Sequence, residues 1–385
     1  MTKHFGAVLV IVCGFLTLYE AADAAESDVP EPFRGFDESS NYAIYYDDLT
    51  YLLGTVVVDV GRSNRRVAKP PADITGTRMK AKVKKTANEG NRFNYESFRD
   101  NEVGRQFLRD IQDGLQQFPA ESPLENFTRD EQLAYWLNLY NITVLNEIVA
   151  VYPKRSLKKL FRGKNSIYSK KLLTVAGISL SLNDIQFTIL KQNYDSDPLI
   201  IYGLYQGIIG GPDIRTVAYT GATVYRDLED NARDFVNSNR GTFGGHKNTF
   251  RVSSLYDRNR AYFPEFDSEL PQHLMLFLQG SHRTKLEAAT KIKPDINDWT
   301  VTDLGGTRNK NIGGSLASNS AAMLDSFRGE PGVNGGVMVA GVIIKRQKRA
   351  PQDDADMTAA IESLPDEVQG ARVEEISTEI TEPTE

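Results

Sequence analysis

The stretch Thr128–Tyr152, TRDEQLAYWLNLYNITVLNEIVAVY, decides how this chain is read. Thr128, followed three residues later by Glu131, makes a capping box that satisfies the free amides opening a helix. Pro153 lacks the N–H needed to continue one. Between these signals Leu133, Trp136, Leu137, Tyr140, Val144 and Ile148 recur every three or four positions, so the spacing predicts a helix over 128–151 with one buried stripe. Asn138 and Asn141 share a face of that helix. An unmatched buried amide costs about 1–3 kcal/mol, so each asparagine needs a partner, either the backbone of a neighbouring loop or a ligand.

Working outward, helical spacing recurs at Phe98, Phe107, Ile111 and Leu115, over Val224–Val236, and around Leu270–Leu278 and Arg283–Ala289, with a short helix around Tyr42–Leu53. Strand signals fall at Thr55–Val60, Leu199–Leu204 and Thr249–Ser253. A hairpin turns at Ala176-Gly177, and one more strand is expected within Val337–Ile344. Ser181 caps a helix running through Leu190, with Asp184 in its first turn. These elements predict an α+β fold, a single helix-rich domain with a small β-sheet over residues 32–303. Residues 61–90 read as a long basic loop, and 304–385 as a low-complexity, largely disordered acidic tail.

Behind Lys3, the apolar block Phe5–Tyr19 is followed by small residues at Ala22 and Ala24, the pattern of a cleaved export signal over residues 1–24. It is shorter than the roughly 20 apolar residues of a membrane span, and no transmembrane segment is expected after cleavage. Cys13 is the single cysteine and lies within that block. A mature chain without it has no disulfide, thiol nucleophile or cysteine-bound metal, so the core alone must hold the fold. The expected location is periplasmic or secreted. Export argues against nucleic acid as the partner of the basic runs Arg62–Arg92 and Lys154–Lys171, which read more simply as solvated faces or as matches for the acidic tail.

Few residues offer chemistry. The four histidines His4, His246, His273 and His282 are not spaced as metal ligands, and neither a metal nor a cofactor is expected. His273, set in PQHLMLFL, reads as a core histidine with a satisfied partner. Leu199–Arg215, LIIYGLYQGIIGGPDIR, ends in a glycine turn whose amides could cradle an anion, with Asp213 and Arg215 just beyond; alone it is a weak phosphate signal. None of the familiar nucleophile, phosphate-loop or zinc-protease motifs is present.

Taken together, RDEQLAYWLNLYNITVLNEI, KKLLTVAGISLSLNDIQFTIL, the block from Asp197 to Gly241, RVSSLYDRNRAYF and NDWT resemble, in order and spacing, the domain-of-unknown-function 547 family over about residues 100–303. The family has no settled activity, and its bacterial members are commonly exported. The resemblance implies Glu-His where this chain has Gln186-Phe187, and Ser-Cys-Pro where it has Gly210-Gly211-Pro212. A cysteine and a histidine on separate elements suggest a thiol and its base. Here a phenylalanine ring and a bare α-carbon replace them.

The leading expectation is therefore an uncharacterised exported protein, a non-catalytic member binding a small ligand or an envelope partner. Asn138, Asn141, Asp184, Gln206, Arg215 and Tyr219 are the candidate binding residues, and Gln186, Phe187, Gly210 and Gly211 mark the former reactive positions. One alternative is a hydrolase or transferase working through Asp, Asn and Arg, which would need Asp184 desolvated with a raised pKa. The other is a structural envelope protein.

Overall fold

The structure is a computed structural model describing residues 27–67, 84–245 and 248–304, together with the backbone of a strand at 342–344. The expected export signal and most of the acidic tail lie outside the described residues. Helix accounts for 48% of the structure and strand for 13%, an α+β composition. Among the described residues, no helix is long and apolar enough to cross a membrane.

Helix α3 (Arg129–Val151) forms the axis of the core, and the Thr128 hydroxyl accepts the Glu131 amide as the capping box requires. The Glu131 carboxylate accepts the amide of Ile44 at 3.3 Å, tying the N-terminal segment to the helix. Sixteen of the 23 residues of α3 are buried, so the single stripe expected from spacing is replaced by burial nearly all round. Helix α2 (Glu102–Glu121), capped by Asn101, packs along it, and helix 224–236 and strand β1 (Tyr42–Ile44) cover other sides. Helix α1 (Asp47–Val56) starts later than the spacing suggested, because β1 takes up Tyr42–Ile44.

The sheets are small. β2 (Val57–Val58) pairs antiparallel with β3 (Arg92–Phe93), and β4 (Lys171–Val175) turns into β5 (Ile178–Ser181). That turn sits at Ala176 and Gly177, both with positive φ, as a two-residue hairpin demands. β6 (Thr242–Gly244), β7 (Thr249–Ser253) and β8 (Lys291–Ile296) form a mixed sheet, with the last pair parallel. β9 (Val342–Ile344) pairs antiparallel with β1, so the fold reaches past Asp303 and uses part of the expected strand Val337–Ile344.

Two elements differ in kind from the sequence expectation. Leu199–Leu204 is not a strand. Asp197 caps Leu199 at 2.8 Å and Pro198 opens a 3-10 helix over Pro198–Tyr202, because a short apolar run bounded by a cap and a proline carries no period of its own. The helix begun at Ser181 is a π-helix over Asp184–Leu190, a rare geometry that recurs at functional sites.

Candidate functional site

The Gly-Gly-Pro turn is fixed from three sides. Residues 207–210 run beside 298–302, with Ile209 N donating to Thr300 O, Gly210 N to Asp298 O and Thr302 N to Gly207 O, each at 2.9 Å. Residues 298–302 are in turn held by 155–157, through Leu157 N to Trp299 O and Val301 N to Arg155 O at 3.0 Å. At Gly210 a β-carbon would come within 2.7 Å of the Asp298 nitrogen and 2.9 Å of its carbonyl oxygen, so this position must be glycine in this backbone. At Gly211 the nearest atoms would be the Gln206 β-carbon at 3.1 Å and its Oε1 at 3.3 Å, a looser approach in which the amide end can turn away and the β-carbon need shift by only a few tenths of an ångström.

The Asp298 carboxylate anchors the paired segment by accepting from Lys84, Thr86 and Thr300. Burial alone would raise its carboxyl, but these donors outweigh burial and hold it below the usual carboxylate range.

Behind Gly211 lies a cluster centred on Arg258, at the end of helix Ser254–Arg258. Ser253 caps that helix and its amide is bound to Gly241 O, which sets the helix close to the turn. Arg258 donates to Gln206 Oε1 and to Ser254 Oγ, both at 2.8 Å, and lies 5.0 Å from the Trp299 ring centroid. Its neighbour Asn259 accepts from Gln186 Nε2 at 2.5 Å, and Tyr262 donates to the Gln186 carbonyl at 2.7 Å. Phe187, half-buried, faces the Tyr262 ring at 6.2 Å. An unbroken run of contacts thus joins the π-helix to the glycine turn through Gln186, Asn259, Arg258 and Gln206. Burial lowers the Arg258 pKa, and the nearby Arg162 adds to the effect while Tyr168 and Tyr140 oppose it.

On its other side the turn meets a polar cleft of about 240 Å³ whose walls include Arg62, Arg66, Glu89, Asp213, Asp234 and Arg240. Arg240, 2% exposed, grips Asp213 through both terminal nitrogens and donates to Gly211 O at 2.9 Å. Gly90 has φ +79°, and a β-carbon there would lie 2.6 Å from Arg240 Nη1. Glu89, 3% exposed, accepts from Ser63 and from the Asn239 side chain. The described ends of the basic loop are therefore anchored in the fold by buried polar contacts.

The other candidate residues are placed as follows. Asn138 donates to Tyr219 O at 2.8 Å and accepts from Tyr219 N at 3.0 Å. Asn141 makes the same pair of bonds with Gly203 O and Tyr205 N, both at 2.9 Å. Both amides thus act as surrogate backbone for the glycine-rich segment. Arg215 pairs with the buried Asp227 at 3.0 Å and lies 5.7 Å from the Tyr219 ring. Asn138, Asn141, Arg215 and Tyr219 converge on a small crevice with Leu49 and Leu145, and neither Gln206 nor Gly211 is among its walls. Asp184 caps its own helix, accepting from Ser181 N, Ser181 Oγ and Lys171 Nζ at 2.6 Å. Partial burial would raise its carboxyl, yet Lys171 and Ser181 prevail and the net shift is downward, opposite to what a general acid needs.

Residues 124–236 match the model of a family described as a protein of unknown function, DUF547. No curated protein matches, and no solved structure does. The DUF547 match is narrower than the expected span of about 100–303. It contains Gln186, Phe187, Gln206, Gly210 and Gly211, whereas Arg258, Asn259, Trp299 and Arg240 lie after it. Local reasoning passed over those four. Arg258 and Asn259 sit in RVSSLYDRNRAYF and Trp299 in NDWT, blocks noted for resemblance alone, with no local feature that marks them as site residues. His273 is half-buried, with Nε2 2.9 Å from the Tyr202 hydroxyl and its ring stacked on Tyr202. His4 and His246 lie outside the described residues. Among the described residues, no group of three or more His, Cys, Asp or Glu is placed to hold a metal ion.

Proposed function

We propose that this protein is an exported binder of a small ligand, with a site that keeps the frame of a reactive centre and lacks its reactive groups. The observation that carries the reading is the run Gln186–Asn259–Arg258–Gln206–Gly211, which joins the two positions where the resembled family has Glu-His and Ser-Cys-Pro. Phe187 has no proton to move and Gly211 no side chain, so the nucleophile and base that covalent catalysis requires are both missing. What remains is a polar cluster of glutamine and asparagine amides, a guanidinium and the Trp299 ring, groups suited to recognising a ligand.

The test is a turnover screen of the purified chain against peptide, ester and amide substrates, run beside the Gln206→Ala variant. No rate above the buffer blank is expected. A rate in the parent chain that disappears in Gln206→Ala would overturn the non-catalytic reading. The export component is checked separately by N-terminal sequencing of protein recovered from a bacterial periplasm or medium, where a start near Ala25 is expected and an intact Met1 counts against export.

A further inference from the structure

We propose that Arg258, with Arg162 and the Trp299 ring, binds the carboxylate of a small organic acid, so that the ligand of the site proposed above is a carboxylate; this rests on that reading of the site. Every side chain that Arg258 bonds is neutral, namely Ser254 and Gln206. The adjacent residue Asn259 is bonded by the equally neutral Gln186. Asp257, the acid nearest in sequence, is engaged by Arg260 at 2.8 Å, and its attraction is the weakest of the charge effects on Arg258.

A second guanidinium, Arg162, lies 5.6 Å from the centroid of the same indole. Among the described residues neither arginine forms an ion pair, and the two repel one another. A half-buried guanidinium with only neutral acceptors is costly, and protein interiors resolve that cost with a counter-charge. Two of the five N–H donors of Arg258 are engaged by these neutral acceptors, leaving others for a planar oxyanion in the fork geometry that arginine offers.

The surroundings favour an organic acid over a bare ion. Trp299 is half-buried with both guanidiniums over its ring, and Arg162 is exposed, so the pair of arginines is reached from solvent at the Arg162 end. Tyr140 and Tyr168 lie within electrostatic reach of Arg258, with the buried Tyr140 hydroxyl facing that of Tyr168. A carboxylate could rest on the arginines while its carbon skeleton lies on the indole.

The experiment is a fluorescence titration of the full chain at constant ionic strength with acetate, benzoate and inorganic phosphate, chloride making up the balance. Trp136 and Trp299 are the only tryptophans, and Trp136 is fully buried in the core, so Trp299 supplies the solvent-sensitive signal. A saturable change with benzoate, weaker with acetate, is expected. It should vanish in Trp299→Phe, fall at least tenfold in affinity in Arg258→Met, and persist in Arg99→Met, a surface change elsewhere. Gln206→Glu places a carboxylate on the Arg258 fork and should abolish the response while raising the melting temperature. That variant also decides the matter if Arg258→Met fails to fold.

No saturable response in the parent chain, or an undiminished one in Gln206→Glu, overturns the proposal. A response to phosphate and not to carboxylates overturns the carboxylate assignment. Turnover in the substrate screen would overturn the non-catalytic reading while leaving the titration result standing, so the two failures are distinguishable.

Discussion

Gln206 stands between Gly211 and Arg258: its Oε1 accepts from Arg258 at 2.8 Å and lies 3.3 Å from where a β-carbon on Gly211 would be. The emptied position and a cation without an ion pair therefore share one amide. A β-carbon placed at 211 meets the Gln206 side chain at 3.1 and 3.3 Å, whereas one placed at 210 meets the main chain of Asp298 at 2.7 and 2.9 Å.

Alanine substitution at the two glycines should separate them. Gly210→Ala is expected to destabilise by about 2–3 kcal/mol, since overpacking against backbone has no soft partner to yield, and Gly211→Ala by less than about 1 kcal/mol. Urea denaturation of both variants checks this. Equal losses would show that the 207–210 segment is not held against 298–302 as described.

Asn138→Ala and Asn141→Ala each orphan one buried backbone carbonyl and one amide, so each should cost about 2–4 kcal/mol. The loss belongs to the fold, and carboxylate titration of whichever variant remains folded should be unchanged. A weakened titration without loss of stability would instead place these amides against the ligand.

Arg240 and Asp213 form a nearly buried pair, with side chains 3% and 11% exposed. Removing one partner leaves the other charge buried. Asp213→Asn or Arg240→Met should therefore cost about 3–5 kcal/mol, and the double variant should recover a large part of it. Chemical denaturation of the three variants forms the cycle, and strict additivity would refute the pairing.

Acid should weaken the fold before the carboxylates titrate. Burial pulls both His273 and His282 from 6.5 down to about 4, with Arg65 and Lys285 adding to the effect at His282. A histidine with a depressed folded pKa takes up its proton more readily when unfolded, so its contribution is complete above pH 6.5 and declines as pH falls from 6.5 to 4. The full loss at His273 is about 3 kcal/mol. Asp184 and Asp298, both depressed, lose their contributions only below the ordinary carboxylate value of 3.8. Stability measured between pH 7.5 and 4.5 should show the His273 slope, flattened in His273→Gln. An unchanged slope would mean the ring is not held neutral by burial.

The sequence by itself determined what depends on neighbours three or four residues apart. The α3 boundaries, its Thr128 cap, the Ala176-Gly177 turn and the helix at 224–236 follow from capping chemistry, backbone preference and periodicity, which are local. Tertiary structure decided everything resting on contacts far apart in sequence. Asn138 and Asn141 could have faced a ligand or a loop, and the partner found lies 62–81 residues away. Asp184, as plausible an acid as a cap, is fixed as a cap by Lys171 across the β4–β5 hairpin. Arg258 sits 52 residues from Gln206 and reads in the chain as one more surface arginine. Its lack of an ion pair becomes visible only when packing brings helix 254–258 against the glycine turn, because whether a charge is paired and how much water reaches it are properties of the folded surroundings and not of any local pattern.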